Sequence, residues 1–152
     1  MSTFIGKGAT SSALRLFPYT CNTASLSQWA AVIYDSADAG NSVKAPTAEA
    51  NAGFAGFLAD YPGSSGTSSG VVYNFACQPG DKVPALLKAG ASVTVGNELV
   101  IANTSGHVEA YDNSSMDDAS IVAIAEETAT AGGTAVQIQV RIVKGTVHKD
   151  NS

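Results

Sequence analysis

The chain has 152 residues, 45% of them apolar and only 14% charged, with a formal net charge of −5. That is one domain's worth of chain with enough apolar content for a packed core, while its eight Lys and Arg are scattered rather than clustered as phosphate binding requires. No apolar run reaches the roughly 20 residues of a membrane span, and Met1–Lys7 lacks the basic-then-apolar pattern of a signal peptide, so the expectation is a chain used without secretion, without membrane and without nucleic acid.

Residues 1–28 carry Phe4, Ile5, Leu14, Leu16, Phe17 and Tyr19 among small polar residues with no sustained period of 2 or 3.6. Pro18 discourages a helix through Leu14–Phe17, so this stretch reads as an extended N-terminal arm. Residues 29–145 read as the β-domain. Ala31–Tyr34 is its first strand, leading to Gly40 and Val43–Ala45, then to the apolar run Phe54–Leu58 and the strand Val71–Phe75. Ala45–Ala52 and Met116–Ala119 could each form a helical turn or two, and Pro84–Lys88 fits either a helix or an extended segment. Ala91–Val95 and Glu98–Ile101 flank Gly96–Asn97, where glycine at the first loop position predicts a type II′ hairpin. Ile121–Ala125 reads as a strand buried on both faces. In Val136–Val143, Val136, Ile138, Val140 and Ile142 alternate with Gln137, Gln139 and Arg141, the mark of a strand with one wet face. A polar tail, residues 146–152, closes the chain.

The pattern is used twice. Ile33 and Ile101 are 68 residues apart, Val43 and Val108 are 65, Phe54 and Ile121 are 67, and Val71 and Val136 are 65. Nearly constant offsets describe an internal pseudo-repeat, with units at 31–75 and 99–140. Many short strands at regular spacing predict an all-β fold, a small β-sandwich or barrel-like domain of short antiparallel strands. Such strands would leave sheet edges that call for a partner.

Motifs that would carry chemistry fail on context. Gly66-Thr67-Ser68-Ser69-Gly70 fits the GxSxG elbow, but that motif needs a strand before it and a helix after it. Here a Ser/Gly tract precedes it and the strand Val71–Phe75 follows. His107 and His148 have no metal-ligand spacing, and Gly6–Ser11 lacks the Walker pattern. Asp117–Asp118 and Glu126–Glu127 read as solvated charge, and Cys21 and Cys77, 56 residues apart, as buried free thiols. No catalytic, cofactor-binding or metal-binding residue is expected.

The segments Val43–Ala45, Gly53–Phe57, Ala89–Leu99, Gly106–Val108 and Ile121–Gly133 together resemble the small capsid decoration, or cement, proteins of tailed bacteriophages. The resemblance runs over residues 43–145. It departs from the family's pattern at Ala123, where the family commonly has glycine. What it implies is a mostly-β, non-enzymatic protein without a cofactor. Such a protein is made in the host cytoplasm and bound to the outer surface of the assembled head, often as a homotrimer, where it bridges neighbouring major capsid protein subunits. In that setting Phe4, Ile5, Leu16, Phe17 and Trp29 are the candidate partner-interface residues, and deletion of residues 1–20 is expected to abolish binding while sparing the β-core. The alternative from another class is a carbohydrate- or cell-surface-binding β-module of a virion. One Trp among ten other aromatics with no i, i+2 stripe favours it less.

Overall fold

The computed structural model describes residues 14–38, 42–116 and 119–147, and among these every regular element is a strand. The first five are β1 (Leu16–Cys21), β2 (Ala31–Tyr34), β3 (Ser42–Lys44), β4 (Phe54–Leu58) and β5 (Val71–Ala76). They close into a barrel in the order β1-β3-β2-β4-β5. After the turn through Gln78–Asp81, a second barrel is built from β6 (Lys82–Leu87), β8 (Glu98–Ile101), β9 (Val108–Ala110), β10 (Ser120–Ala125) and β12 (Val136–Val147), in the order β10-β12-β6-β9-β8. The short strands β7 (Ser92–Val93) and β11 (Ala129–Thr130) form a two-stranded sheet of their own, with Val93 buried in the core cluster of the second barrel. The all-β expectation holds, in the form of two small barrels. Most pairs are antiparallel, but β1 with β3 and β6 with β9 run parallel.

The two barrels are the same object. Going round each, β1, β3, β2, β4 and β5 correspond to β6, β9, β8, β10 and β12, with every pair keeping its sense. The registers align as well. Val32 faces Gly56 as Leu99 faces Ala123, an offset of 67, and Leu58 faces Phe75 as Ala125 faces Val140, offsets of 67 and 65. Strand β8 sits one residue away from the 68-residue spacing read between Ile33 and Ile101. Tyr34 and Ile101 are the equivalent pair, facing Val43 and Val108 respectively.

Three expectations change. Residues 16–21, read as arm, are β1, paired with β5 along its whole length. Deleting residues 1–20 would thus remove most of a barrel strand, and a truncation that spares the described fold ends by residue 13. Closure shortens the free sheet edges that were expected: what stays unpaired in the barrels is the stretch of β1 before Thr20 and of β6 before Leu87, on the sides facing β3 and β9. The hairpin at Gly96–Asn97 does not form either. The tight turn is Thr94–Asn97, closed by the Asn97 N–H donating to the Thr94 carbonyl at 3.0 Å, and Gly96 takes φ +92° at its third position. That is the type II arrangement, which splays strands rather than pairing them; β7 turns to β11 instead.

Alternation along the strands fills the interiors. Tyr19, Cys21, Val32, Val43, Leu58 and Phe75 pack inside the first barrel. In the second, Val83, Ala85, Leu87, Leu99, Val108 and Val140 belong to a cluster that continues onto Ala31, Ile33, Phe54, Phe57 and Ala76 of the first. The seam is thus apolar and continuous with a core. Backbone bonds cross it as well: the Ala31 N–H donates to the Gly106 carbonyl and the Ala50 N–H to the Ile101 carbonyl, both at 2.8 Å.

Candidate interaction surface

Of the five candidate interface residues, Phe4 and Ile5 lie outside the described residues. Leu16 and Phe17 open β1 and are exposed. Their strand partner β5 adds the exposed Val71 and Val72, and of the four, Leu16 and Val72 share the outward row of the β1–β5 ladder. Trp29 is placed differently. It sits in the turn before β2 with φ +70°, donates its backbone N–H to the Leu58 carbonyl at 2.6 Å, and packs its half-buried ring on the cluster that joins the barrels. The chain's one Trp is a structural pin in this conformation. Sequence reasoning missed Val71 and Val72 because Val71–Phe75 reads simply as a strand; the signal was the departure from alternation in Val-Val-Tyr.

A polar cluster bridges the barrels. Lys144 of β12 donates to the Tyr34 hydroxyl at 2.7 Å and to the Ala55 carbonyl at 3.3 Å. Its Nζ is 5.1 Å from the Tyr34 ring centre, and the short bond to Oη puts the ammonium beyond the ring edge, so the hydroxyl rather than the π-face receives it. Tyr19 stacks edge-on to Tyr34 at 6.3 Å and to Phe75 at 5.9 Å. Burial, then the neighbouring Tyr34, pushes the Tyr19 hydroxyl up to about 12. Burial likewise raises the Cys77 thiol, against the opposing pull of Lys144. Asp81 Oδ2 is buried there without a hydrogen-bond partner. Through Lys144 the cluster ties β12 of the second barrel to β2 and β4 of the first.

The other candidates for chemistry resolve into local roles. Ser68 is exposed, and its N–H donates to the Tyr73 hydroxyl at 2.8 Å; the strand β5 follows. His107 is half-buried, with Nδ1 3.1 Å from Asn103 Nδ2. Asn103 Oδ1 already accepts from the Ser105 and His107 N–H groups, at 3.0 and 3.2 Å, which turns its amide nitrogen toward the ring. Nδ1 is therefore an acceptor and the ring neutral, and burial lowers its pKa accordingly. Glu126 pairs with Lys82 at 3.4 Å and Arg141 at 3.7 Å, whereas Glu127 accepts from the Gln139 N–H at 2.7 Å. Asp117, Asp118 and His148 lie outside the described residues. Cys21 and Cys77 are both buried and unpaired. Among the described residues no three His, Cys, Asp or Glu side chains come together in a way that could hold a metal ion.

No family model and no curated protein matches the chain. Its fold does have a solved likeness. The structure is similar to the N base of the head fiber protein gp8.5 of bacteriophage phi29, with a TM-score of 0.54 over 90% of this chain and 99% of that one. The two sequences are 16% identical across the match. At that identity the likeness is one of fold, and its coverage is too wide to stop at one barrel.

Proposed function

We propose that this chain is a structural virion protein that binds the outer surface of an assembled phage capsid and stabilises it by bridging neighbouring major capsid subunits. It acts without catalysis and without a cofactor, and as a self-associating homotrimer. The observation that carries the reading is the double barrel itself, a fold similar to the phi29 head fiber base, reached independently of the glycine and apolar pattern that resembles cement proteins. The solvent-facing Leu16, Phe17, Val71 and Val72 supply apolar contact area outside the core.

The physics of such a role is linkage. A protein that binds the assembled shell and not its loose subunits stabilises the shell by RT ln(1 + [L]/Kd), about 2.7 kcal/mol at a hundredfold excess over Kd. Several weak contacts on one particle add avidity without any single contact being strong.

The experiment is to mix the purified protein with heads of the phage that encodes it, stripped of this protein, and to follow co-sedimentation and the temperature at which the heads release DNA. Binding with a raised release temperature is the expected result; heads that neither bind the protein nor gain stability would reject the reading. Removing residues 1–13, with Phe4 and Ile5, is expected to weaken binding while the barrels stay folded. Binding to glycans by a protein indifferent to heads would favour the adhesin alternative.

A further inference from the structure

The two barrels provide an internal comparison that one barrel alone could not. Because their registers coincide, each outward residue on β1 and β5 has a counterpart on β6 and β12. The pair Leu16–Ala76 corresponds to Lys82–Arg141, Pro18–Asn74 to Pro84–Gln139, and Thr20–Val72 to Leu86–Gln137. In the second barrel this outer row is mostly built for water. Lys82 and Arg141 share Glu126, and Gln137 and Gln139 continue the row along β12. In the first barrel, leucine replaces the lysine, valine a glutamine and alanine the arginine, the alanine being buried in the seam. Thr20 against the half-buried Leu86 is the one exchange in the opposite sense.

The core does not demand the apolar replacements. Leu16 is 42% exposed and Val72 59% exposed, so both present apolar surface to solvent at positions where the same scaffold carries Lys and Gln. The contrast extends beyond the row: six charged side chains fall between residues 14 and 76, and twelve between 77 and 147. Apolar groups held on an outward face without a role in folding mark a contact surface.

We infer that the outward face of β1 and β5 is the surface through which a second copy of this chain docks; the inference rests on the reading of the protein as an assembly component and names the face that self-association uses. Three features fit a copy of itself. The polar groups within the row, the Thr20 hydroxyl and the Asn74 amide, each donate and accept, so copies of the face turned toward a common axis can satisfy one another. The charges at its rim are Arg15, just before Leu16, and Asp60, whose Oδ2 accepts from the Asn74 N–H at 2.8 Å. These are opposite in sign, so one copy's arginine can meet the other's aspartate. Contact through the first barrel also keeps the more heavily acidic second barrels apart, which matters for a chain of net charge −5. Two six-residue strands cover roughly 20 Å by 10 Å, with Thr20 and Asn74 set among the apolar Leu16, Pro18 and Val72 and with Arg15 and Asp60 at the rim.

The test uses the full chain. Light scattering and sedimentation velocity over a concentration series are compared for the wild type, Val72→Gln, and the Leu16→Lys/Val72→Gln double variant. These substitutions install what the second barrel already carries at the same positions, and far-UV circular dichroism checks the fold. The wild type is expected to exceed the 15.4 kDa of one chain. Each variant is expected to need about tenfold or more higher concentration to associate. Val95→Lys, at an exposed turn of the second half, is expected to behave as wild type. If the double variant does not fold, Val72→Gln alone decides. A wild type that stays monomeric, or folded variants that associate as the wild type does, would overturn the inference. Head binding is measured in parallel. A monomer that binds heads sinks this inference and spares the capsid-binding reading, whereas an oligomer sensitive to Val72→Gln that ignores heads does the reverse.

Discussion

Gly106→Ala is expected to damage the fold far beyond what one methyl group ordinarily does, because it strikes the seam between the barrels. Gly106 has φ +78°, and a Cβ built there would stand 2.5 Å from the Ala31 carbonyl oxygen, 2.8 Å from the Ala31 nitrogen and 2.9 Å from the Ala30 Cβ. Two of these neighbours are backbone atoms and cannot rotate aside. Positive φ costs an alanine about 1 kcal/mol relative to glycine. Overpacking against fixed atoms adds about 1–3 kcal/mol. Pushing Ala31 away also stretches its 2.8 Å bond to the Gly106 carbonyl, worth about 1 kcal/mol. The sum is about 3–5 kcal/mol, a large share of the roughly 5–15 kcal/mol that holds a domain folded, and it corresponds to a fall in Tm on the order of 10 °C.

The natural control is Gly96→Ala. Gly96 has φ +92° but nothing within 4 Å of its would-be Cβ, so only the conformational cost of about 1 kcal/mol applies. Urea unfolding followed by Trp29 fluorescence reads the seam directly, since that ring packs on the shared cluster, while circular dichroism reads the strands. A Gly106→Ala loss no larger than that of Gly96→Ala would refute the seam as a close-packed joint.

Three further outcomes follow from the same geometry. His107 is expected to titrate below 6.5 by proton NMR, with His107→Gln identifying its signal; a pKa at or above 6.5 would contradict the neutral, Asn103-bonded ring. Since its folded pKa is lowered, the unfolded chain binds more protons just below 6.5. The contribution of His107 is therefore complete above 6.5 and lost as pH falls through its folded pKa, which a pH series of wild type against His107→Gln would show. Both thiols should be silent to a thiol reagent in the native protein and react together on unfolding, given their burial; one fast thiol in the folded state would show that Cys21 or Cys77 is accessible. In a double-mutant cycle, Lys144→Met and Tyr34→Phe should couple by roughly 0.5–1.5 kcal/mol, and strict additivity would mean that their 2.7 Å bond contributes nothing to holding the barrels together.

How much of this can be read from the chain depends on where side chains alternate. The all-β class is legible because Val136–Val143 and Ile121–Ala125 carry their periodicity openly, and three of the four repeat offsets match the observed register. The first strand of each unit is not legible. Leu-Phe-Pro-Tyr-Thr-Cys and Lys-Val-Pro-Ala-Leu-Leu share only their proline, and a proline inside a run argues against a strand. Both prolines are tolerated for one reason. On the side away from the long antiparallel partner, β3 reaches only Thr20 and Cys21, and β9 only Leu87, so the missing N–H leaves no ladder bond unmade on that side. Without β1 and β6 the repeat reads as two meanders. With them, each unit is a closed barrel. The departure at Ala123 acquires a counterpart too: the equivalent position in the first barrel is Gly56, where a Cβ would lie 2.8 Å from the Ala76 carbonyl oxygen.

The shared register also explains why two equal barrels can serve unequal ends. Inward positions are bound to one another by volume, so exchanges there must compensate: Tyr19 and Phe75 are larger than their counterparts Ala85 and Val140, while Cys21, Val32 and Gly56 are smaller than Leu87, Leu99 and Ala123. Outward positions carry no such bond, and substitutions there ordinarily cost within about 0.5 kcal/mol. Leu16 against Lys82 and Val72 against Gln137 are therefore close to neutral for folding. Their cost lies elsewhere, in the solubility that exposed apolar surface forfeits. A fold that doubles its barrel can keep one exterior wet and let the other become adhesive, since the wet half offsets that loss. The sequence's low charge, taken over the whole chain, blurs this division; resolved barrel by barrel, it points to β1 and β5 as the adhesive side.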